Sequence, residues 1–131
     1  AEELQAKRKG YITTLSGTRL YVPKKKQFAA INYKIQGDEG DLVKQAVLEC
    51  ADECYRIGRD KISIALQSHD ELLFEANKGL SEETDYVDVM CAAMERAGHM
   101  CSPTVGIKVD AKVIHQNWWV GEEYKRKEIM I

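Results

Sequence analysis

Residues 62–76 carry the pattern that most narrows the possible folds: two apolar segments flank the polar triplet His69-Asp70-Glu71. Before the triplet, apolar residues alternate with smaller or polar ones, which is the period of a strand buried on one face. After it comes a second short apolar segment. Two short strands separated by so few residues pair as an antiparallel hairpin. We therefore expect strands at 61–67 and 72–76, with the polar triplet at the turn.

The triplet combines an imidazole with two carboxylates. On a regular strand Asp70 and Glu71 would point to opposite faces, but at a turn both can emerge on one exposed rim. A carboxylate there suits Mg²⁺, which binds one or two carboxylates and completes its shell with water and phosphates. A plain charged turn, with His69 capping or packing, explains the same residues. Against this simpler explanation, the turn lacks the Gly and Asn that are usual in tight hairpins.

Helices are predicted in three places. Residues 1–9 are typical of the end of a charged helix. Residues 38–57 carry an apolar stripe at every fourth position, and Gly58 suits the end of that helix. A second long helix is expected to begin after Ser81, where acidic residues suit a first turn, and to end at Gly98.

Further strands are predicted on both sides of these helices. Segments 11–15 and 18–22 form a hairpin about a Ser-Gly turn, and alternation from 104 to 113 predicts a third core strand. A tail with Asn117-Trp118-Trp119 follows. We therefore expect an α+β fold, an antiparallel sheet with helices packed on one face, in a single domain spanning all 131 residues.

The charge of the chain is uneven. The net charge is -2, yet the first 26 residues hold seven basic and two acidic side chains, about +5, which leaves about -7 for the rest. A basic segment of this kind is a weak indication of a polyanion, and a solvated surface with scattered lysines is the preferred explanation. No apolar run approaches the roughly 20 residues of a membrane span. The first residues have no apolar h-region, so we expect a secretory signal to be absent or already removed.

Four cysteines, at 50, 54, 91 and 101, are present, with His99 near the last of them. A zinc site would more often show a CxxC pair, which this sequence lacks. Buried, reduced thiols in an intracellular protein are the preferred interpretation.

Four blocks of the sequence resemble the DNA polymerase I family, also called family A. QSHDELLFE resembles its motif C, QVHDELVFE, and FAAINYKIQGDEGDLVKQA resembles its RAAIN-x-x-x-QG-x-x-x-D-x-x-K segment. GYITTLSGTRLYVP is similar to GYVETLxGRRRYLP, and VGIKVDAKVIHQNWW is similar to the final palm strand. The blocks occur in the family's order and cover nearly the whole chain.

The resemblance implies nucleotidyl transfer with two Mg²⁺ ions, one at the primer 3′-hydroxyl and one at the leaving pyrophosphate. It assigns Asp70 as a catalytic, metal-binding aspartate, with Glu71 as the adjacent acid and His69 close to the primer terminus.

The same resemblance implies contacts with primer-template DNA. Asn32 and Gln36 match amides that check base-pair geometry in the minor groove, while Arg19 and Lys44 match phosphate contacts.

Three departures from the family pattern affect these expectations. Phe28 replaces the arginine of RAAIN, and QGDEGD adds Asp38 and Glu39 beside the expected DNA path, where they would weaken binding. Only Lys24-Lys25-Lys26 and Gln27 lie where the family has a longer helical segment, and the lysines would compensate by meeting phosphates.

No counterpart of motif A or of the nucleotide-gripping fingers helix occurs in the sequence. We therefore hypothesise that the chain is the C-terminal palm part of a split polymerase, with a virus as one source. A second polypeptide would supply motif A, fingers and thumb, and the chain alone would be inactive. It would bind deoxynucleoside triphosphates in the cytoplasm of a bacterial or phage-infected cell. The alternatives are a non-catalytic remnant that binds primer-template, and an unrelated α+β interaction domain.

Overall fold

The computed structural model describes the backbone of residues 2–77, 83–114 and 121–124, and the side chains of 4–77 and 86–114. In chain order its elements are α1 (Glu2–Lys9), β1 (Tyr11–Thr13), β2 (Arg19–Tyr21), a 3-10 helix (Lys24–Ala29), α2 (Ala30–Ile57), β3 (Ile62–Ser68), β4 (Glu71–Ala76), α3 (Glu83–Cys101), β5 (Ala111–Ile114) and β6 (Gly121–Tyr124). The chain divides into two compact units, Ala1–Gln45 and Ala46–Ile131, and α2 runs through the boundary between them.

The predicted α+β class and the antiparallel pairing are confirmed, and so is the hairpin that carries the polar turn. In the part of the chain that the structure describes, the strands form three separate two-stranded sheets, β1-β2, β3-β4 and β5-β6. The expected sheet is therefore divided into hairpins, and the first two bury an apolar face against helices of their own unit.

The first unit is built around the β1-β2 hairpin. Tyr11 pairs with Tyr21 and Ile12 with Leu20, so Ile12 and Leu20 share the inner face. That face packs with α1 and the start of α2 in a small core of Ala6, Ile12, Val22 and Ala30, with Leu20 and Tyr33 beside it. The tight packing holds the hairpin against α2.

The second unit packs two helices on one face of the β3-β4 hairpin. Its core contains residues of α2, β3 and α3: Cys50, Cys54, Ile62, Tyr86, Met90 and Ala93. All four cysteines are free; three are buried as expected and Cys101 is half-buried. Burial raises the pKa of the Cys50 thiol to about 12, which keeps it protonated at neutral pH.

The helices differ from the prediction at two ends. Helix α2 begins at Ala30, eight residues before the predicted start, because packing against the hairpin outweighs the weak helix propensity of Gly37 and Gly40. Helix α3 continues through Gly98 to Cys101, so the predicted end at Gly98 was wrong. A Cβ at Gly98 would lie 2.9 Å from Ile107 Cβ, so glycine is there for close packing. The end of α2 at Gly58, with φ of +121°, is confirmed.

The predicted strand at 104–113 is largely wrong. Residues 102–110 form no strand, and only β5, Ala111–Ile114, pairs, with β6. The alternation reflects packing on α3, because Ile107 lies against Gly98 and the Val109 N–H donates to Glu95 Oε1 at 3.3 Å. The expected start after Ser81 and the Asn117-Trp118-Trp119 tail lie outside the described residues.

Among the described residues, no helix is long and apolar enough to cross a membrane.

Candidate functional site

The β3-β4 hairpin presents the polar triplet with a tighter turn than expected. Ser68 pairs with Glu71, which leaves His69 and Asp70 alone as a two-residue turn. The prediction that all three residues occupy the turn was therefore wrong for Glu71, which is the first residue of β4. A two-residue turn fixes the register of both strands and so fixes the position of the Asp70 backbone.

His69 has the backbone conformation that such a turn requires. Its φ of 49° is the only positive value at a non-glycine residue among those described. Positive φ at the first central residue is common to both turn types that favour two-residue hairpins, and glycine or asparagine usually provides it. Gln67 supports the turn, because its Nε2 donates to the His69 carbonyl oxygen at 3.0 Å. Histidine here is therefore an exception to the usual preference for glycine or asparagine at this position.

A β-bulge in β3 changes which of its side chains face outward. Ile64 pairs with Phe74, but the next paired residue of β3 is Leu66, opposite Leu73. The extra residue reverses the alternation of β3, so Leu66 is turned outward and is 45% exposed. Glu71 is two residues from Leu73 on β4 and shares this outer face. Leu72 and Phe74 of β4 pack on the core, so the alternation of β4 directs Glu71 away from it.

The side chains of His69, Asp70 and Glu71 are all exposed. The carboxylate oxygens of Asp70 and Glu71 are hard donors, which Mg²⁺ prefers, and Mg²⁺ often takes only one or two carboxylates from a protein. No group of three or more metal-ligating side chains occurs among the described residues. The donors at this turn therefore fit Mg²⁺ in chemistry, and they would supply only part of a coordination shell.

The other predicted site residues lie in the first unit. Asn32 and Gln36 are one turn apart on α2, so they share a helix face, and both are exposed. Neither amide has a hydrogen bond to a side chain or backbone group that the structure describes. Together they form a surface of available donors and acceptors, the amide face of α2.

Arg19 and Lys44, the two predicted phosphate contacts, are both exposed but differ in their surroundings. The Arg19 guanidinium lies over the Tyr11 ring, 4.9 Å from its centroid, which is a cation–π contact. The Lys44 side chain is 75% exposed, with its Nζ 3.4 Å from Asp41 Oδ1. A surface ion pair of this kind is weak, so Lys44 can still turn to a phosphate.

Asp41 fastens the tip of the β1-β2 hairpin to α2. Its Oδ2 accepts hydrogen bonds from Thr14 Oγ1 at 2.6 Å and from Ser16 Oγ, and its Oδ1 accepts from Thr18 Oγ1 at 3.4 Å. The bonds from Ser16 and Thr14 stabilise the charged carboxylate and lower the Asp41 pKa to about 2. We call these four residues the hydroxyl clasp.

Asp38 also holds the hairpin tip, through contacts that the sequence did not predict. Its Oδ1 accepts the Leu15 N–H at 2.7 Å, and its Oδ2 lies 3.6 Å from Lys34 Nζ. Lys34 in turn donates to the Thr13 carbonyl oxygen at 3.0 Å. The Asp38 charge is therefore used in a tertiary contact, whereas the Glu39 side chain is exposed.

Gly37 makes the docking of this hairpin possible. A Cβ at this position would lie 2.3 Å from Leu20 Cδ1 and 2.8 Å from Thr14 Cγ2. The hairpin therefore approaches the α2 backbone more closely than any side chain would permit.

The sequence prediction missed the clasp, Gly37 and Gln67. One signal was available: the three hydroxyl residues at 14, 16 and 18 follow at intervals of two around a turn. Asp41, which joins them, is distant in sequence and could not be paired with them by pattern alone. The two groups of predicted residues are each brought together within one unit, Asn32, Gln36, Arg19 and Lys44 in the first, and His69, Asp70 and Glu71 in the second.

Known proteins share this sequence over most of its length. Residues 2–120 match the family model of DNA polymerase family A. The chain belongs to this family. Its sequence is 35% identical over 116 residues to DNA polymerase I of Bacillus subtilis, covering 81% of this chain and 12% of that protein. It is 32% identical over 123 residues to a DNA-directed DNA polymerase of Pseudomonas phage M6, covering 88% of this chain and 16% of that protein.

A solved structure shows the same relationship. The POL domain of Pol1 from M. smegmatis, in complex with DNA primer-template and dNTP, matches with a TM-score of 0.62 and 30% sequence identity. The match covers 73% of this chain and 18% of that one. The α+β fold described above is thus that of a family A polymerase domain, and the chain spans less than a fifth of the length of each of these relatives.

Proposed function

We propose that this chain is the C-terminal palm part of a family A DNA polymerase and contributes motif C to template-directed DNA synthesis. The observation that carries the proposal is the Asp70 carboxylate, exposed on a two-residue turn in a chain of this family. A partner polypeptide supplies motif A, fingers and thumb, and the substrates are primer-template DNA and deoxynucleoside triphosphates. The proposed setting is the cytoplasm of a bacterial or phage-infected cell.

In this proposal Asp70 is the metal-binding aspartate, and Glu71 adds negative charge beside it on the outer face of the hairpin. His69 is held at positive φ and supported by Gln67, and its imidazole would lie close to the primer terminus. Bound Mg²⁺ would promote deprotonation of the primer 3′-hydroxyl and stabilise the charge on the leaving pyrophosphate. The chain itself positions the carboxylate, because the two-residue turn leaves its backbone little freedom.

The first unit would hold the duplex. The amide face of α2, Asn32 and Gln36, presents donors and acceptors that suit the minor-groove acceptors shared by all correct base pairs. Arg19 and Lys44 would meet the phosphates, which position the duplex without reading its sequence.

The test is DNA synthesis by the polymerase assembled from this chain and the polypeptide that co-purifies with it. Asp70→Ala should reduce primer extension by a factor of about 1,000 or more, because an interaction that stabilises charge in the transition state is removed. Asp52→Ala removes another exposed aspartate of the same unit and should leave extension unchanged. Full activity of the Asp70→Ala assembly, or failure to recover any partner, would count against the split polymerase.

A second candidate is a non-catalytic palm that only holds primer-template. The exposed amide face and the basic residues of the first unit favour it as much as they favour the polymerase. Under this alternative, Asn32→Ala and Gln36→Ala weaken duplex binding, while Asp70→Ala changes neither binding nor any synthesis that the chain supports.

A further inference from the structure

The outer face of the β1-β2 hairpin is unlike an ordinary solvated surface. Tyr11 and Tyr21 are direct cross-strand partners on the face opposite to Ile12 and Leu20, and Arg19 lies on this outer face too. Tyr21 is 74% exposed, and the Arg19 guanidinium covers the Tyr11 ring. We call Tyr11, Tyr21 and Arg19 the tyrosine face.

Two basic segments meet at one end of this face. The Val22 N–H donates to the Gly10 carbonyl oxygen at 3.0 Å, directly beyond the Tyr11–Tyr21 pair. Lys7-Arg8-Lys9 end just before Gly10, and Lys24-Lys25-Lys26 begin just after Pro23, so the fold brings both segments to the same end of the hairpin. All six side chains are exposed, and Lys24 to Lys26 form no ion pair with any described side chain.

We propose that the tyrosine face, with these two basic segments, binds single-stranded nucleic acid. Arg19 is common to this surface and to the duplex contacts proposed above, whereas Asn32 and Gln36 are not part of it. Aromatic rings beside a basic surface suit a strand whose bases are unpaired, because each base stacks on a ring while its phosphate meets a cation. A duplex covers the faces of its own bases and has none to offer to Tyr21. The recognised groups are an unstacked base and the phosphodiester.

This site would let the chain hold the single strand that extends beyond the base-paired part of a primer-template. Its use for a template overhang rests on the proposed function, but its existence does not, since it depends only on the hairpin and the two basic segments. Phe28, 77% exposed, lies close in sequence to the lysines and extends the aromatic character of this region.

Fluorescence anisotropy with the 131-residue protein tests the stacking. The probe is a fluorescein-labelled single strand of about 16 nucleotides, compared with the duplex of the same sequence. Tyr21→Ala should weaken single-strand binding about tenfold, the usual effect of removing one stacked base, while Tyr21→Phe should stay within about twofold because the ring remains. Tyr55→Ala, which removes a tyrosine that is 80% exposed in the other unit, is the matched control and should bind like the wild type.

The role of the lysines in phosphate binding is tested by salt dependence. For single strands, the slope of log K against log salt falls by about 0.7 for each phosphate that the protein no longer neutralises. Lys24→Gln/Lys25→Gln/Lys26→Gln should therefore flatten the slope by up to about 2, whereas Lys108→Gln/Lys112→Gln should leave it unchanged. The proposal is overturned if Tyr21→Ala binds the single strand like the wild type, or if it weakens binding of the duplex as much as binding of the single strand.

Asp70→Ala separates this proposal from the polymerase proposal. The variant should lose synthesis in the assembled enzyme but keep the single-strand affinity of the wild type. Unchanged synthesis with normal single-strand binding would remove the polymerase proposal and leave the tyrosine face; abolished synthesis with no effect of Tyr21→Ala would do the reverse.

Discussion

The Asp41 carboxylate differs from one fully exposed to water in its burial, its hydrogen bonds and its pKa. Its side chain is only 10% exposed and accepts hydrogen bonds from three hydroxyls, with Lys44 near one oxygen. Hydrogen bonds to a charged group are stronger than neutral ones, which explains the pKa near 2. The carboxylate therefore stabilises the fold only in its charged form.

The pH dependence of stability should reveal this carboxylate. Because its pKa falls from 3.8 unfolded to about 2 folded, the contribution is complete above about pH 4 and is lost as the pH falls through 2. The shift corresponds to at most about 2 kcal/mol of unfolding free energy. Urea unfolding of wild type and Asp41→Asn should show a smaller difference at about pH 2 than at about pH 5. Parallel pH profiles for the two proteins would contradict this account.

The backbone conformation of His69 could not be predicted from the sequence, whereas the position of Asp70 could. Asp70 could be singled out from the sequence, since a carboxylate between two apolar strands must lie at a turn. The positive φ of His69 could not be predicted, because asparagine or glycine is the usual residue at such a position and a histidine in the sequence does not indicate it. The bulge after Ile64, which turns Leu66 outward, likewise leaves no mark on the apolar pattern.

Some helices and strands could likewise be predicted from the sequence, and others could not. The hairpin at 62–76 was predictable because period-two alternation and a short connection leave one solution. The start of α2 was not, because Gly37 and Gly40 lower helix propensity, and the packing that compensates comes from a hairpin far away in sequence. The strand expected at 104–113 failed because an extended segment packed on a helix also alternates.

These two glycines form a matched pair for testing the docking of β1-β2 on α2. Gly37→Ala gains helix propensity but places a Cβ 2.3 Å from Leu20 Cδ1, so overpacking should lower the unfolding free energy by about 1–3 kcal/mol. Gly40→Ala meets nothing within 4 Å and should raise it by about 0.5–1 kcal/mol. Urea denaturation measures both. Equal stabilisation by the two changes would mean that the hairpin does not approach α2 so closely.

Over the whole molecule, charge is divided between the two units. The first unit holds nine basic and five acidic residues, a net +4, so the second carries -6 of the total of -2. The sequence predicted a basic N-terminal region, but left open whether it was a concentrated surface or scattered lysines. The backbone bond between Gly10 and Val22 decides this, because it joins two basic segments that are 15 residues or more apart in sequence.

The surface formed by the two basic segments, residues 7–9 and 24–26, should determine how the protein binds to charged matrices, although the net charge of the protein is negative. Electrostatic screening limits an interaction to about 10 Å at 0.1 M salt, so a matrix responds to the nearest surface and little to charges beyond that range. At neutral pH the protein should therefore be retained on a cation exchanger at low salt. Lys24→Gln/Lys25→Gln/Lys26→Gln should elute at clearly lower salt, whereas Lys108→Gln/Lys112→Gln, which also removes positive charge, should elute close to wild type. If the wild type passes unretained, or if both variants shift alike, retention follows net charge and the basic segments do not form a common surface.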